Sequence, residues 1–235
     1  MDRRCIVICD SGVGGLGLLK SLSTRLKGEN FVYFADYDNL PYGEKSAEKL
    51  FEIAKNNCKK FLSFSPKLIV FACNTLSTNS VGLNAVGGVR IVKVLPKVKS
   101  SGKGLLLCTE ATAKSSYVLG LKNQNPFLDL LPMPTLAKDV EDFFTFGKKI
   151  DFKRLFLGVE KNYDFISLGC THYTAIKNCL EKVFPNCQFL SGEEVVFDKV
   201  VNFITTFDTE EDGGEVAFVG RRAESVKSLY FKGFL

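Results

Sequence analysis

The sequence lacks long apolar runs and concentrated basic segments, and both absences exclude classes of protein. Apolar runs such as residues 68–73 are far shorter than the roughly 18 residues needed to cross a bilayer, so we expect no membrane partner. The N-terminal segment has no long apolar stretch of the kind that a secretory signal requires, which favours a cytoplasmic protein. The 31 basic residues are dispersed among 26 acidic ones, so we expect a solvated surface and no nucleic-acid partner.

Closely spaced cysteine pairs are also absent, although the chain has eight cysteines. Without the C-x-x-C spacing, a structural zinc site or a thioredoxin-like motif is not predicted, and we find no convincing set of metal ligands. Thiols are expected in a cytoplasmic protein, not disulfides. Most of the cysteines are therefore predicted to be small, buried apolar residues.

Apolar segments alternate with polar turns and amphipathic segments along the whole chain, as in α/β proteins. The predicted strands cover residues 5–9, 31–35, 68–72, 90–94, 105–108, 127–131, 165–168 and 215–219. The predicted helices include residues 76–86, 136–146, 174–184, 193–207 and the tail from Ala223. This alternation predicts mostly parallel sheets flanked by helices, with ligands beyond the C-terminal ends of the strands.

A linker rich in Lys, Ser and Gly at residues 96–104 divides the pattern into two similar halves. In each half a strand ends in a cysteine followed by polar residues, Cys73-Asn74-Thr75 in the first and Cys170-Thr171-His172 in the second. A cysteine at the end of a buried strand is usually inert packing, but the dipole of a following helix stabilises a thiolate there. Unless the similar spacing is coincidence, two facing lobes would place both thiols beside one cleft.

The segment 12–17 has a G-x-G-x-x-G pattern between a predicted strand and a predicted helix, and Asp36 follows at the end of the next strand. This is the outline of a dinucleotide-binding fingerprint, which would make the protein an oxidoreductase. The other interpretation is a glycine-rich turn that binds a different anion. Asp10 argues against a pyrophosphate, because it brings negative charge to the loop.

His172 is the single histidine of the sequence. A lone histidine is more often a surface or packed residue than a catalytic one, but this one lies two residues after Cys170. It could assist the thiol or protonate a nearby carboxylate. A cysteine-protease pair is the alternative, although its two residues normally come from distant segments.

Five segments carry a resemblance that runs over nearly the whole chain. They are Asp10-Ser11-Gly12-Val13-Gly14-Gly15-Leu16, Pro41-Tyr42-Gly43, Ala72-Cys73-Asn74-Thr75, Thr109-Glu110-Ala111-Thr112 and Gly169-Cys170-Thr171-His172-Tyr173. In this order and context they resemble the glutamate racemases, cofactor-independent enzymes of the aspartate/glutamate racemase superfamily. The first and last segments favour glutamate over aspartate racemases.

The resemblance implies that Cys73 and Cys170 are the two catalytic acid–base groups and that Asp10 and His172 assist them. The substrate-binding positions that it implies are Ser11, Pro41, Tyr42, Gly43, Asn74, Thr75, Thr112 and Thr171. The segment 133–141 resembles a diverged form of one that ends in a functional glutamate, which adds Glu141. We expect glutamate as the small-molecule substrate, no cofactor or metal, a homodimer, and D-glutamate supplied for peptidoglycan synthesis.

The resemblance also implies that the C-terminal segment returns to the first lobe. We therefore expect lobe one to comprise residues 1–96 together with 209–235, and lobe two to comprise residues 97–208. The active site is then expected in the cleft between the two lobes.

Three features depart from the family's pattern. Leu76 replaces a small residue, Cys108 replaces a glycine, and Thr174-Ala175 replaces Pro-Leu. These changes bear on the pocket volume and on the substrate preference. They keep open a catalytically weakened, racemase-like protein that binds an amino acid, besides the dinucleotide-dependent oxidoreductase.

Thiols suit racemisation at an α-carbon, because their reference pKa of about 8.5 lies close to the working pH. One group removes a proton as thiolate, and the other returns one to the opposite face as thiol. The five segments contain no arginine or lysine. We therefore expect the substrate carboxylates to rest on backbone N–H groups and on Ser, Thr and Asn side chains.

Overall fold

A computed structural model describes residues 4–206 and 213–232. The strands, in chain order, are β1 (Ile6–Asp10), β2 (Phe31–Ala35), β3 (Leu68–Phe71), β4 (Ala85–Val86), β5 (Val89–Lys93), β6 (Gly104–Cys108), β7 (Leu128–Pro132), β8 (Phe165–Gly169), β9 (Gln188–Ser191) and β10 (Val216–Val219). The helices are α1 (Leu16–Arg25), α2 (Ala47–Phe61), α3 (Asn74–Thr78), α4 (Glu110–Ala113), α5 (Ser116–Gln124), α6 (Leu136–Phe146), α7 (Phe152–Leu155), α8 (Thr171–Ala175), α9 (Lys177–Val183), α10 (Glu193–Ile204) and α11 (Ala223–Phe231).

The strands form two sheets. The first has six strands in the order β10-β2-β1-β3-β5-β4, parallel throughout apart from the antiparallel pair β4 and β5. The second has four parallel strands in the order β7-β6-β8-β9. The predicted fold class, two α/β lobes with mostly parallel sheets flanked by helices, is confirmed.

Hydrophobic cores lie on both faces of the first sheet, which explains why its central strands are mostly apolar. All five residues of β1 are buried. Ile6 and Ile8 pack into the core beneath α1, and Val7 and Cys9 pack into the core beneath α2 on the opposite face. β-Branched and aromatic residues fit this doubly buried, pleated surface, so the sequence favours strands here.

Helix α2 begins and packs as its sequence dictates. The hydroxyl of Ser46 accepts a hydrogen bond from the backbone N–H of Lys49 at 3.2 Å and so caps the first turn. Apolar side chains recur every three or four residues, and those that are buried are Leu50, Ile53, Ala54, Cys58 and Phe61. This apolar stripe covers the face of the first sheet that carries Val7 and Cys9.

The predicted helix at residues 76–86 is wrong in extent, because α3 ends at Thr78. The following segment turns into a hairpin of β4 and β5. Gly87 and Gly88 form its turn with φ values of 53° and 79°, a left-handed conformation that glycine adopts without steric cost. The glycine pair was the local signal for this hairpin.

The eight predicted strands agree with observed strands to within one residue at each end. Strand β9 was not predicted, because Gln188 and Ser191 interrupt its apolar pattern. The predicted helix at residues 174–184 is divided at Ile176 into α8 and α9, and α8 begins earlier, at Thr171. The last residue of the predicted helix 193–207 lies outside the described residues.

The C-terminal part of the described chain packs onto the first sheet. Strand β10 pairs with β2, and α10 contributes Val196, Val200 and Ile204 to the core beneath α1. The predicted lobe limit at 96/97 stays a prediction, and the limit at 208/209 lies outside the described residues. Over residues 4–206 and 213–232, no helix combines the length and the apolar character needed to cross a bilayer.

Candidate active site

The candidate site lies at the C-terminal ends of four strands. In the first sheet β1 ends at Asp10, and Cys73 follows the neighbouring strand β3; in the second, Thr109 follows β6 and Cys170 follows its neighbour β8. In the first sheet β2 lies on one side of β1 and β3 lies on the other. In the second sheet β7 lies on one side of β6 and β8 lies on the other. Ligands of α/β proteins bind at such switch points, where the connecting helices diverge and leave a crevice.

A cavity of about 340 Å³ lies at these strand ends and has walls from both lobes. The predicted site residues that line it are Ser11, Pro41, Tyr42, Gly43, Cys73, Thr75, Glu141, Cys170 and His172. The predicted site residues that do not line it are Asp10, Asn74, Thr112 and Thr171. These four are buried, and their side chains form hydrogen bonds with other protein groups.

Cys73 lies in an extended conformation immediately before α3, with its Sγ 3.9 Å from Oγ of Ser11. Burial raises the pKa of the Cys73 thiol, and the negative charge of Asp10 raises it further, whereas the backbone N–H of Leu76 and the Ser11 hydroxyl lower it. The stabilisation expected from the dipole of α3 is thus outweighed. The protonated thiol is the favoured form of Cys73.

Cys170 lies immediately before α8 and faces His172, whose Nδ1 is 3.8 Å from the Cys170 Sγ. The other ring nitrogen, Nε2, is 2.7 Å from Oε2 of Glu141. Burial by itself lowers the pKa of His172, but the contacts with Cys170 and Glu141 outweigh burial and hold the pKa well above 6.5. The two cysteines therefore have different charged neighbours, Asp10 for Cys73 and a protonated imidazole for Cys170.

Glu141 of α6 connects the two lobes. Its Oε2 accepts a hydrogen bond from the backbone N–H of Val13 at 3.1 Å, and its Oε1 accepts one from the Tyr37 hydroxyl. Burial by itself raises the pKa of Glu141, but the hydrogen bonds, foremost that with His172, leave it below its ordinary value. The carboxylate is therefore an anion that fixes the orientation of the His172 ring.

Asp10 is fully buried behind the cavity wall and also connects the lobes. Its Oδ1 accepts a hydrogen bond from the backbone N–H of Gly12 at 3.0 Å, and its Oδ2 accepts one from the hydroxyl of Thr171 at 3.1 Å. Burial raises the pKa of Asp10, and the charge of His172 and these hydrogen bonds lower it only in part. Thr171 thus serves to hold Asp10 against α8.

The glycine-rich segment 12–17 packs closely against the second lobe. A Cβ atom at Gly12 would lie 2.5 Å from Oε2 of Glu141, and one at Gly14 would overlap the Thr171 hydroxyl and lie 2.9 Å from the backbone nitrogen of His172. The backbone N–H groups of Gly12 and Val13 already donate to carboxylates of the protein. The glycines therefore allow the two lobes to approach each other closely. This role differs from the binding of a pyrophosphate.

Asp36, the acidic residue of the dinucleotide pattern, is also occupied within the protein. Its Oδ2 accepts hydrogen bonds from the Tyr42 hydroxyl at 2.6 Å and from Nδ2 of Asn57 at 2.9 Å, and Asn39 donates to both oxygens. The carboxylate anchors the Tyr42 side of the cavity. The oxidoreductase alternative is not favoured by this arrangement.

Three threonine hydroxyls form a closed triangle in one wall of the cavity. The Oγ1 atoms of Thr75 and Thr109 are 3.0 Å apart, Thr109 donates to Thr112 at 2.9 Å, and Thr112 donates to Thr75 at 3.2 Å. Thr75 and Thr109 line the cavity, and Thr112 supports them from behind. The triangle joins the end of β3 to the end of β6.

Tyr37, Thr109 and Arg222 are among the cavity-lining residues that sequence reasoning missed. Tyr37 and Thr109 lie within two residues of the ends of β2 and β6, so the strand-end pattern that selected Cys73 and Cys170 could have found them. Arg222 lies in the turn between β10 and α11, and no local pattern marked it.

The departures from the family's pattern lie outside the cavity wall. Leu76 and Cys108 are fully buried in the hydrophobic cores of their lobes, and neither they nor Thr174-Ala175 line the cavity. They therefore do not narrow the cavity. The alternative of a catalytically weakened protein, which depended on Leu76, loses its structural basis.

All eight cysteines are free thiols, and six of them are buried. Cys5, Cys9 and Cys58 pack in the core of the first lobe, in the role expected of most cysteines. Within the described ranges, no group of three His, Cys, Asp or Glu side chains could hold a metal ion.

The Glu141→Gln variant is expected to lower the pKa of His172, because it removes the negative charge at 2.7 Å from Nε2. As His172 is the single histidine, one set of imidazole signals in an NMR titration reports it directly. Since folding raises this pKa, the interaction stabilises the protein fully below the unfolded value of about 6.5 and is lost as the pH rises through the folded value. An unchanged titration midpoint in Glu141→Gln would show that Glu141 does not control the imidazole.

Known proteins of similar sequence are reported as glutamate racemases. The chain is 32% identical over 240 residues to the glutamate racemase of Carboxydothermus hydrogenoformans, covering 95% of this chain and 89% of that one. It is 28% identical over 212 residues to the glutamate racemase of Chlorobaculum tepidum, covering 83% of this chain and 77% of that one. No protein-family profile matches the chain.

Solved structures share the fold. The structure of Escherichia coli glutamate racemase in complex with L-glutamate and the activator UDP-MurNAc-Ala matches with a TM-score of 0.82 at 24% identity, covering 97% of this chain and 95% of that one. The structure of the Francisella tularensis glutamate racemase in complex with D-glutamate matches with a TM-score of 0.78 at 22% identity, covering 99% of this chain and 95% of that one.

Proposed function

The chain belongs to the glutamate racemase family, and from this we propose that it interconverts L- and D-glutamate by proton transfer at the α-carbon. Cys73 and Cys170 are the two acid–base groups of the proposal. Asp10 and His172 assist them, and Glu141 orients His172. No cofactor takes part.

The observation that carries the proposal is the placement of two free thiols, one from each lobe, in the wall of one cavity. In a two-base racemisation, a proton acceptor lies on one face of the α-carbon and a proton donor on the opposite face. Two groups from opposing lobes supply both without turning the substrate.

The surroundings of the two thiols differ in the free protein. Burial and Asp10 favour the thiol of Cys73, and the protonated His172 lies beside Cys170. By analogy with the family, we expect Cys170 to remove the α-proton of L-glutamate while Cys73 donates its proton to the opposite face. After this step Cys170 carries the proton and Cys73 is a thiolate. The reverse reaction begins from this state.

The cavity suits the carbanion that forms when the α-proton leaves. Cys73 and Cys170 are only 4% and 5% exposed, so little water reaches the reacting atoms. The hydroxyls of Thr75 and Thr109 line the same cavity and can donate hydrogen bonds to a substrate carboxylate, which spreads the developing charge.

The physiological setting follows from the family. The proposed substrate is glutamate, in line with the L- and D-glutamate in the two solved structures. D-Glutamate for peptidoglycan is the proposed product, and a homodimer in the cytoplasm is the proposed form of the protein.

Racemisation in deuterated water tests the two-thiol proposal. Starting from L-glutamate, the D-glutamate formed early should carry deuterium at the α-position, because Cys73 has exchanged its proton with solvent. The L-glutamate that remains should be almost unlabelled, because Cys170 removes protons from it without returning solvent protons to the same face. Mass spectrometry of the separated enantiomers at low conversion measures both labels.

Two results would contradict the proposal. Early D-glutamate that keeps its original hydrogen, or an L-glutamate pool that gains deuterium as fast as the product, would indicate one base serving both faces. Absence of any interconversion by the pure protein would refute the function itself.

A further inference from the structure

Tyr37 is the first member of a series of side-chain contacts that leads to Cys170. Its hydroxyl donates a hydrogen bond to Oε1 of Glu141, and Oε2 of the same carboxylate is 2.7 Å from Nε2 of His172. Nδ1 of His172 is in turn 3.8 Å from the Cys170 Sγ. Tyr37 follows β2 of the first sheet and Cys170 follows β8 of the second, so the series connects one lobe with an acid–base group of the other.

The Tyr37 side chain is fixed by its own surroundings. The backbone N–H of Tyr37 donates to the carbonyl oxygen of Ala35 at 2.9 Å, and the ring packs against the hydrophobic core beneath α1. The guanidinium carbon of Arg222 lies 5.2 Å from the centre of the ring. A side chain that is held by packing in this way presents its hydroxyl in one place, which is the requirement for orienting another group.

The two oxygens of Glu141 have different partners. Oε2 accepts a hydrogen bond from the backbone N–H of Val13 at 3.1 Å and faces His172, whereas Oε1 accepts one from the Tyr37 hydroxyl. The terminal torsion of a glutamate side chain has broad minima, so a carboxylate that is held through one oxygen can turn. The bond from Tyr37 to Oε1 opposes this turn and keeps Oε2 directed at His172.

The same hydrogen bond favours the charged form of Glu141. Burial by itself raises the pKa of Glu141, and the Tyr37 hydroxyl is one of the donors that bring it below its ordinary value. Burial also raises the pKa of Tyr37, the charge and hydrogen bond of Glu141 raise it further, Arg222 opposes the rise and Asp10 adds to it. The phenol therefore keeps its proton at working pH and remains a donor to the carboxylate.

We propose that Tyr37 is a positioning residue, which holds the Glu141 carboxylate against the His172 ring and thereby keeps that ring beside Cys170. The inference rests on the proposed function and deepens it with a residue outside the five segments of the resemblance. Tyr37 acts on the proton transfer through Glu141 and His172, without contact with the reacting atoms.

Kinetics of Tyr37→Phe test the proposal, since this variant keeps the ring and removes only the hydroxyl. We expect kcat to fall by about two- to tenfold in each direction, with KM nearly unchanged, because a group that supports the reacting atoms is lost and the cavity keeps its shape. Tyr163→Phe is the matched control. It removes a hydroxyl that donates to Asp129 at 3.1 Å outside the cavity, and it should keep the wild-type kcat.

A double variant shows whether Tyr37 acts through Glu141. In a Glu141→Gln background, Tyr37→Phe should cause little further loss of kcat, because the carboxylate that it orients is already absent. An equal fractional loss in both backgrounds would mean that Tyr37 acts by another route, and the proposal would be wrong.

The ionisation of Glu141 can be followed without any substrate. Carbon-13 NMR of protein labelled at the glutamate carboxyl groups reports it, and Glu141→Gln identifies the signal by its absence. Tyr37→Phe should raise the pKa of Glu141, because the charged form loses a donor, whereas Tyr163→Phe should leave it unchanged. This measurement distinguishes a failure of the Tyr37 proposal from a failure of the proposed function, since it does not depend on racemisation.

Several results would overturn the role of Tyr37. One is an unchanged pKa of Glu141 in Tyr37→Phe, and another is an unchanged kcat in an active protein. A rise in KM without a fall in kcat would indicate that the hydroxyl binds substrate instead. An equal fall of kcat in Tyr163→Phe would show that loss of any such hydroxyl disturbs the protein.

Discussion

Replacing Cys73 or Cys170 with alanine is expected to lower kcat for racemisation by about 10²- to 10⁴-fold in both directions. Each variant loses either the acceptor or the donor of the proton. Circular dichroism of L-glutamate and of D-glutamate incubated with each variant measures the loss. Near-normal turnover in either variant would exclude a two-thiol mechanism.

Cys58→Ala is the matched control for these variants. Cys58 is fully buried in α2 and does not line the cavity, so its loss should leave kcat near the wild-type value. It should instead lower the free energy of unfolding by about 1 kcal/mol, because a buried side chain becomes smaller. A large loss of turnover in Cys58→Ala would show that the effect of cysteine replacement is not specific to the cavity.

Gly14→Ala is expected to lower kcat by at least about tenfold, because the new methyl group displaces the two lobes or α8. The added Cβ would lie 2.8 Å from Nδ1 of His172 and 2.9 Å from its backbone nitrogen, and it would overlap the Thr171 hydroxyl. The movement separates Asp10 from Thr171 and shifts His172 relative to Cys170. Steady-state kinetics and the His172 titration in the variant report both changes.

Gly120→Ala gives the control for an added methyl group. Gly120 lies inside α5, and a Cβ there would meet no atom within 4 Å. Alanine should therefore raise the free energy of unfolding by about 0.5–1 kcal/mol, with no change in turnover. If Gly14→Ala keeps full activity, the close approach of the glycine loop to α8 does not matter for the reaction.

The strands and the strand-end cysteines could be predicted from the sequence because local chemistry determines them. A parallel strand buried on both faces is mostly apolar, and β1 and β8 are such runs apart from Asp10 and Ser167. The polar residues after Cys73 and Cys170 mark where the chain leaves the core. The partner of His172 could not be predicted from spacing, since Glu141 reaches it across 31 residues of sequence.

Other features depend on contacts that no local pattern contains. The glycines at 12 and 14 fitted a dinucleotide motif, and only the position of the second lobe explains them. Leu76 raised doubt about the pocket, but its side chain points into the core beneath α2. Arg222 reaches the cavity because β10 pairs with β2, a contact between residues nearly two hundred positions apart in sequence.

The threonine triangle means that the cavity can change its hydrogen-bond donors without moving any heavy atom. Each hydroxyl has one proton, so in the closed triangle Thr75, Thr109 and Thr112 each donate once and accept once. A carboxylate that enters can receive the proton of Thr75 or Thr109 by rotation about a single C–O bond, at the cost of one hydrogen bond, about 0.5–1.5 kcal/mol. When the carboxylate leaves, the triangle closes again and none of its three hydroxyls stays unpaired. Because both enantiomers carry the same two carboxylates, the same rotation is available to either one.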